Sequence, residues 1–178
     1  MNNIKHWTVS FGLIAFLLFI VTIPAQARGI YQTTDEFLNE VFNQQVPQSD
    51  VVWLKGEVRE RVTEILGHSY AGLRIRYWHN NDRSAWILEE IGKEEPITFG
   101  IVIHQNKVEQ VKVLAYRESR GWEVRHPAFT RQFSDAKLEN NGLDRNIDGI
   151  TGATLSVRAM TAVVTLALYL DEFISNQS

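Results

Sequence analysis

The sequence contains no cysteine. This absence excludes disulfide bonds, thiolate metal ligands, iron–sulfur clusters and cysteine nucleophiles. No basic patch stands out in the sequence, and the formal net charge of −3 argues against a nucleic-acid partner. Of the 178 residues, 44% are apolar and 22% are charged, which is the composition of an ordered globular protein of ordinary domain size.

The first 27 residues have the pattern of a secretory signal. Lys5 is basic, the segment holds no acidic residue, and the stretch from Trp7 to Ile23 is mostly apolar. Ala25-Gln26-Ala27 fits a small-residue cleavage site. The apolar run is about the minimum that spans a bilayer, so an uncleaved anchor in the inner membrane is the alternative. Either way, we expect the rest of the chain to lie in the periplasm or another extracytoplasmic space.

Hydrophobic periodicity along the chain predicts an α+β fold. Helical spacing of apolar residues predicts helices at 34–44, 57–66 and 155–174. β-Branched or alternating runs predict strands at 51–54, 73–78, 84–88, 97–104, 108–116 and 122–124. A polar loop is predicted at 89–96 and a helical turn at 129–133. We therefore expect antiparallel hairpins packed against a buried C-terminal helix, with an N-terminal helical extension. Trp53, Trp78 and Trp86 fall in strands and are predicted to be core residues.

A short stretch before the last helix combines small, hydroxyl and acidic residues: Asp148-Gly149-Ile150-Thr151-Gly152-Ala153-Thr154. A flexible turn that opens a helix presents free backbone N–H groups and the positive end of the helix dipole. Such a turn binds phosphate well, and the Thr154 side chain would project beside those donors.

Three other interpretations of this stretch compete with a phosphate-binding turn. Asp144-x-Asn146-x-Asp148-Gly149 resembles the opening of a calcium loop, but Leu155 stands where a bidentate glutamate should close it. A nucleotide-binding P-loop does not fit, because no Gly-Lys-Ser/Thr follows. The plainest alternative is a helix cap formed by Thr151 and nothing more. The histidines lack metal-ligand spacing, so no metal site is predicted.

The stretch matches the Asp-x-x-Ser/Thr-Gly-Ala-Thr attachment motif and so resembles the FMN-binding domain family. That family includes the C subunit of the sodium-translocating NADH:quinone oxidoreductase and the G subunit of the Rnf electron-transport complex. The resemblance implies that the Thr154 hydroxyl is esterified to the phosphate of FMN. Asp148, Thr151, Gly152 and Ala153 are then the surrounding recognition positions. It also implies a dedicated flavin transferase that uses FAD as donor, releases AMP and clamps the phosphates with a metal ion.

The resemblance extends more loosely over residues 97–163. The hairpin before Glu118-Ser119-Arg120-Gly121 is similar to the family's β-region and its Glu-Thr/Ser-x-Gly loop. We therefore expect Glu118, Ser119, Gly121 and Trp122 to line the flavin ring; the alternative is that Trp122 is a core aromatic and Glu118 a solvated loop acid. The resulting division is a signal or anchor at 1–27, an N-terminal extension at 28–90 and an FMN-binding domain at 91–178.

The expected function is an exported flavoprotein with covalent FMN that carries electrons between a membrane redox protein or complex and other acceptors. We expect a carrier rather than a complete enzyme, because the sequence shows no second substrate site and no Rossmann Gly-x-Gly-x-x-Gly. Two alternatives stay open. One is an exported binding module without a cofactor, and the other is a flavin-dependent reductase that acts directly on a small substrate.

Overall fold

The computed structural model describes residues 29–177, so the predicted signal segment lies outside the described residues. A six-stranded antiparallel sheet has the strand order β1-β6-β5-β4-β3-β2. Its strands are β1 (Gly29–Ile30), β2 (Ser49–Trp53), β3 (Arg74–Asn80), β4 (Arg83–Ile91), β5 (Pro96–His104) and β6 (Lys107–Tyr116). The helices are α1 (Thr34–Val41), α2 (Gly56–Leu66), α3 (Pro127–Thr130) and α4 (Thr154–Ser175). A separate two-stranded ribbon joins β7 (Leu138–Glu139) to β8 (Gly142–Leu143).

The main core lies between one face of the sheet and helices α2 and α4. Met160, Val164 and Leu168 of α4 are buried there, together with Trp86 and Phe99 of the sheet. Each large apolar side chain removed from water in this way stabilises the fold by about 1.5–3 kcal/mol. The predicted α+β class, with a buried C-terminal helix on an antiparallel sheet, is confirmed.

Helix α1 packs on the other face of the sheet, against β4 and β5. Thr33 and Glu36 form a capping box at its start. The Phe37 ring lies against Gly100 of β5 so closely that an added Cβ would come within 2.7 Å of it. The helix ends at Val41 rather than at residue 44, because Asn43 and Gln44 take positive φ values of 50° and 65° that a right-handed helix excludes.

The predicted β5–β6 hairpin is confirmed. Its two turn residues, Gln105 and Asn106, both have positive φ, at 52° and 59°, which is the conformation of a type I′ turn. That turn matches the right-handed twist of the flanking strands. The β3–β4 hairpin also forms, and it turns at Asn81 and Asp82.

Three local predictions are wrong. The polar loop expected at 89–96 shrinks to 92–95, because β4 continues to Ile91 and pairs with β5 up to Ile91↔Pro96. The strand expected at 122–124 is a 3₁₀ turn, Trp122–Arg125, which follows a left-handed Gly121. Trp53 is 50% exposed rather than a core residue, because it lies on β2 at the edge of the sheet.

Both predicted ranges, 28–90 and 91–178, contribute strands to the same sheet. Strand β4 pairs along its whole length with β5. The main core contains Val52 and Val62 from the first range and Val164 from the second. Among residues 29–177, no helix has the length and apolarity needed to cross a membrane.

Candidate functional site

The motif stretch leads directly into α4. Ala153 is the N-cap residue, and its own N–H donates to the carbonyl of Ile150 at 2.9 Å. No side chain of the described residues caps the helix, so the interpretation of Thr151 as a cap is wrong. The first-turn amides of a 22-residue helix are thus left without a side-chain partner, at the end where the dipole is positive.

The predicted attachment residue, Thr154, is the first residue of α4, and its side chain is exposed. Ala153 and Ser156 on either side of it are buried and hold the turn in place. Gly152 has a φ of 82°, and an added Cβ there would meet nothing within 4 Å. The motif therefore places one hydroxyl at an open helix start beside a flexible glycine.

Asp148 and Thr151 lie at the surface, before the helix. The N–H of Asp148 donates to the Gln132 side-chain oxygen at 2.8 Å, which ties the motif loop to the neighbouring 3₁₀ turn, Arg131–Phe133. The side chains of Asp148 and Thr151 are exposed.

The segment after β6 is fastened to the start of α4 through Tyr116. Its phenol donates to the carbonyl of Arg120, and its oxygen lies 3.1 Å from Ser156 Oγ. Burial raises the pKa of Tyr116, so the phenol keeps its proton at neutral pH. Gly121 fits between these groups: an added Cβ would lie 2.8 Å from the Tyr116 oxygen and 3.1 Å from Ala153 Cβ.

Glu118 is 5% exposed, so its interpretation as a solvated loop acid is wrong. Its Oε1 accepts hydrogen bonds from the backbone N–H groups of Lys93, Glu94 and Glu95, at 2.5, 2.6 and 3.0 Å. Burial raises the pKa of Glu118, but these N–H groups and the Lys93 ammonium outweigh it and hold the pKa below its usual value. The carboxylate therefore fastens the 92–95 loop to the segment that follows β6.

These elements enclose a groove of about 590 Å³, within the range of roughly 300–1,000 Å³ found for small-molecule sites. Its walls come from the 92–95 loop, the segment after β6 and the start of α4. The lining residues are Lys93, Glu94, Glu118, Ser119, Arg120, Gly152, Ala153, Thr154, Leu155 and Ser156. We call this the Thr154 groove.

The Thr154 groove brings together five of the predicted site residues: Glu118, Ser119, Gly152, Ala153 and Thr154. Four others lie outside its lining: Asp148, Thr151, Gly121 and Trp122. Gly121 is buried behind the wall. Trp122 is 39% exposed rather than a core aromatic, and the Arg125 guanidinium lies 5.3 Å from its ring centroid.

The sequence reasoning missed the other five lining residues: Lys93, Glu94, Arg120, Leu155 and Ser156. Arg120 lies inside the Glu118–Gly121 stretch and could have been named from it. Lys93 lies in the 92–95 loop, which contacts Glu118, 25 residues further along the chain. No local sequence pattern predicts such a contact.

The lining of the Thr154 groove contains two cationic residues, Lys93 and Arg120, and two acidic residues, Glu94 and Glu118. Lys93 Nζ lies 3.1 Å from a carboxylate oxygen of Glu94, so its charge is partly neutralised. Arg120 and the start of α4 are the features of this lining that suit a phosphate group.

Asp144 is the first residue of the calcium-loop interpretation. Its carboxylate accepts hydrogen bonds from the Arg145 guanidinium, at 2.9 Å, and from the N–H of Lys137. Residues 29–177 contain no cluster of three or more histidine or acidic side chains able to hold a metal ion.

Residues 92–169 match the family model described as the FMN-binding domain. The chain carries an FMN-binding domain. The matched range begins at the 92–95 loop and ends within α4, so it contains all the lining residues of the Thr154 groove. Neither a curated protein nor a solved structure matches the chain. The match supports a flavin-binding protein, and an exposed hydroxyl beside phosphate-binding groups fits FMN.

Glu118 makes the stability of the FMN-binding domain pH-dependent. The folded pKa lies below the value of about 4.3 for a free glutamate, so the charged form stabilises the fold above that value. This stabilisation is lost as the pH falls through the folded pKa. At pH 7 we expect Glu118→Gln to lower the free energy of unfolding by about 1–3 kcal/mol. The difference from the unsubstituted protein should shrink at a pH of about 3.5.

Urea unfolding at the two pH values measures this difference. Asp171, whose pKa is raised by burial, is common to both proteins and cancels in the comparison. Glu139→Gln, at an exposed position on β7, is the matched control and should change little at either pH. A difference for Glu118→Gln that is the same at both pH values would contradict the role assigned to its charge.

Proposed function

We propose that this protein is an exported flavoprotein that holds FMN covalently on Thr154 and carries electrons between redox partners. The proposal rests on one observation: within an FMN-binding domain, an exposed threonine hydroxyl stands at the uncapped start of a long helix and lines a groove of suitable size. Export is proposed from the N-terminal signal pattern.

Attachment requires an enzyme, because a threonine hydroxyl is a weak nucleophile at its ordinary pKa. We propose that a flavin transferase activates it, with FAD as the donor. Thr154 Oγ1 forms a bond to the FMN phosphorus while the pyrophosphate bond to AMP breaks. The hydroxyl proton passes to a base of the transferase, and AMP leaves with the electron pair. Oxidation states do not change, and the exposure of Thr154 supports access by the transferase.

The resulting phosphodiester carries one negative charge. The first-turn amides of α4 donate to such a group, and the helix dipole stabilises it by about 0.3–1 kcal/mol at an exposed position. Arg120 adds positive charge from the segment after β6, and Lys93 adds less because it pairs with Glu94 at 3.1 Å. These groups are the ones we propose to hold the phosphate end of the cofactor.

The remaining walls serve the other end of the cofactor. Leu155 offers an apolar surface that is 44% exposed, and Ser119 offers a hydroxyl. Glu118 does not act on the cofactor itself but keeps the 92–95 loop in place. Bound FMN supplies the redox chemistry, while the protein supplies binding, orientation and electrostatics. A tether through the phosphate leaves the ring free for electron transfer, which supports a carrier role beside a membrane redox protein or complex.

The test is flavin retention after denaturation. The full chain is co-expressed with a flavin transferase, purified, unfolded in guanidinium chloride and stripped of small molecules. We expect the unfolded polypeptide to keep flavin absorbance and to show a mass increase equal to FMN less one water. A protein that is yellow when folded but colourless after unfolding would retain flavin binding and contradict covalent attachment. A protein that never carries flavin would contradict the whole proposal.

A further inference from the structure

A second surface, on the opposite face of the sheet from α4, is built from tryptophan and cationic side chains. Strand β2 is an edge strand, and its register with β3 places Trp53 opposite Arg74 and Val51 opposite Arg76. Residues directly opposite each other in an antiparallel pair share one face of the sheet. These side chains therefore lie together.

The pleat of the strands decides which way this surface points. Val52 and Ile75, the intervening residues, are 3% and 2% exposed and belong to the main core beneath α2 and α4. Trp53, Arg74 and Arg76 alternate with them and are exposed. Ser49 pairs with Trp78, which is half-buried against the cluster beneath α1 and borders the same surface. We call the following residues the cationic tryptophan face: Trp53, Lys55, Arg74, Arg76 and Trp78.

Trp53 is the centre of this face. Half of its surface, 50%, is exposed, which is unusual for so large an apolar ring. Lys55 Nζ lies 5.4 Å and Arg74 Cζ lies 5.5 Å from its ring centroid, within range of a cation–π interaction. A tryptophan ring surrounded by lysine and arginine is the combination that settles at the headgroup level of membranes, where the ring meets the interface and the cations meet phosphates.

The charge of this face is opposite in sign to the net charge of the chain. The whole sequence has a net charge of −3, yet the face gathers three cations. Glu89 lies on the same face of β4, but its carboxylate accepts a hydrogen bond from Thr98 at 2.6 Å and lies 3.7 Å from the Arg117 guanidinium. The local charge therefore favours an anionic surface.

We propose that the cationic tryptophan face docks on a bilayer rich in anionic lipid headgroups. Trp53 enters the interface, and Arg74, Arg76 and Lys55 contact the phosphates. Helix α4, which begins at Thr154, lies on the other face of the sheet, so docking leaves it uncovered. This inference rests on the geometry of β2 and β3 and is independent of flavin attachment.

The test measures quenching of tryptophan fluorescence by lipids with brominated acyl chains. The full chain is mixed with phosphatidylcholine vesicles with or without phosphatidylglycerol. The Trp53 signal is the difference between the unsubstituted chain and Trp53→Phe, so the contribution of Trp7 cancels. We expect this signal with anionic vesicles at low salt, and its loss with phosphatidylcholine alone or at high salt. Arg74→Gln/Arg76→Gln should lower the ratio of docked to undocked protein roughly 25-fold, at about fivefold per cation.

Matched controls distinguish this surface from general effects. Trp122→Phe removes another exposed tryptophan, and Arg131→Gln/Lys137→Gln removes two exposed cations elsewhere; both should leave the Trp53 signal intact. The proposal is overturned if Trp53→Phe removes no quenching, or if the two double variants weaken docking equally. Binding to polyglutamate without quenching by anionic vesicles would also overturn it, and would assign the face to an acidic protein. Equal melting temperatures show that the variants are folded.

Discussion

Thr154→Ala is expected to abolish covalent flavin while leaving the fold intact. The side chain is exposed at the first residue of α4, so its truncation should change the free energy of unfolding by no more than about 0.5 kcal/mol. The hydroxyl is the only atom of this residue able to form the proposed phosphoester. Intact-mass measurement after co-expression with a flavin transferase should show the FMN-sized adduct on the unsubstituted chain and none on the variant.

Two variants make that result specific. Thr154→Ser keeps a hydroxyl at the same position and should accept flavin, at a rate set by the transferase. Ser119→Ala removes a different hydroxyl from the Thr154 groove and should keep the adduct in full. An adduct that persists in Thr154→Ala, or one that peptide mapping finds on another residue, would disprove the assignment.

Gly121→Ala is expected to destabilise the protein and to disorganise the Thr154 groove. The backbone there has a φ of 84°, which costs a residue with a Cβ about 1–2 kcal/mol. The new Cβ would also lie 2.8 Å from the Tyr116 oxygen and 3.1 Å from Ser156 Oγ. Tyr116 is fully buried and bonded on both sides, so it cannot move away freely, and this overpacking adds about 1–3 kcal/mol.

Gly152→Ala separates the two parts of that cost. Gly152 has nearly the same backbone conformation, with a φ of 82°, but an added Cβ there would meet open space. It should therefore lose only the backbone part, about 1–2 kcal/mol. Thermal and urea unfolding of the two variants measure the difference directly. Equal losses would mean that the contact between Gly121 and the start of α4 contributes little.

The local elements of the fold followed from local patterns. The β5–β6 hairpin was predicted because β-branched runs flank a short polar segment, and Gln105 and Asn106 can take the positive φ that the turn needs. The helix predicted at 57–66 forms as α2, and Gly67 ends it in the left-handed conformation. In each case, the residues that decide the structure are close together in the chain.

The misplaced elements share one physical cause. The end of β4 was predicted as a loop because Glu89 and Glu90 are polar, but pairing with β5 satisfies their backbone. The Glu89 side chain stays exposed, and the Glu90 carboxylate, 10% exposed, lies 3.0 Å from His68 Nε2. Trp53 was predicted to be buried from its strand alone, yet its exposure depends on which strand forms the edge of the sheet. Strand order is a property of the assembled sheet rather than of any single strand.

The sequence by itself determined the fold class, the similarity of one segment to an FMN-binding domain and the position of the motif at the start of a helix. These depend on periodicity, turn chemistry and one contiguous stretch, Asp148–Thr154. Only the tertiary structure decided that Glu118 is buried against the 92–95 loop, that Lys93 and Arg120 line the groove beside Thr154, and that Gly121 and Trp122 lie outside it. Those contacts join segments far apart in the chain, and their geometry follows from strand pairing and close packing, which no local pattern encodes.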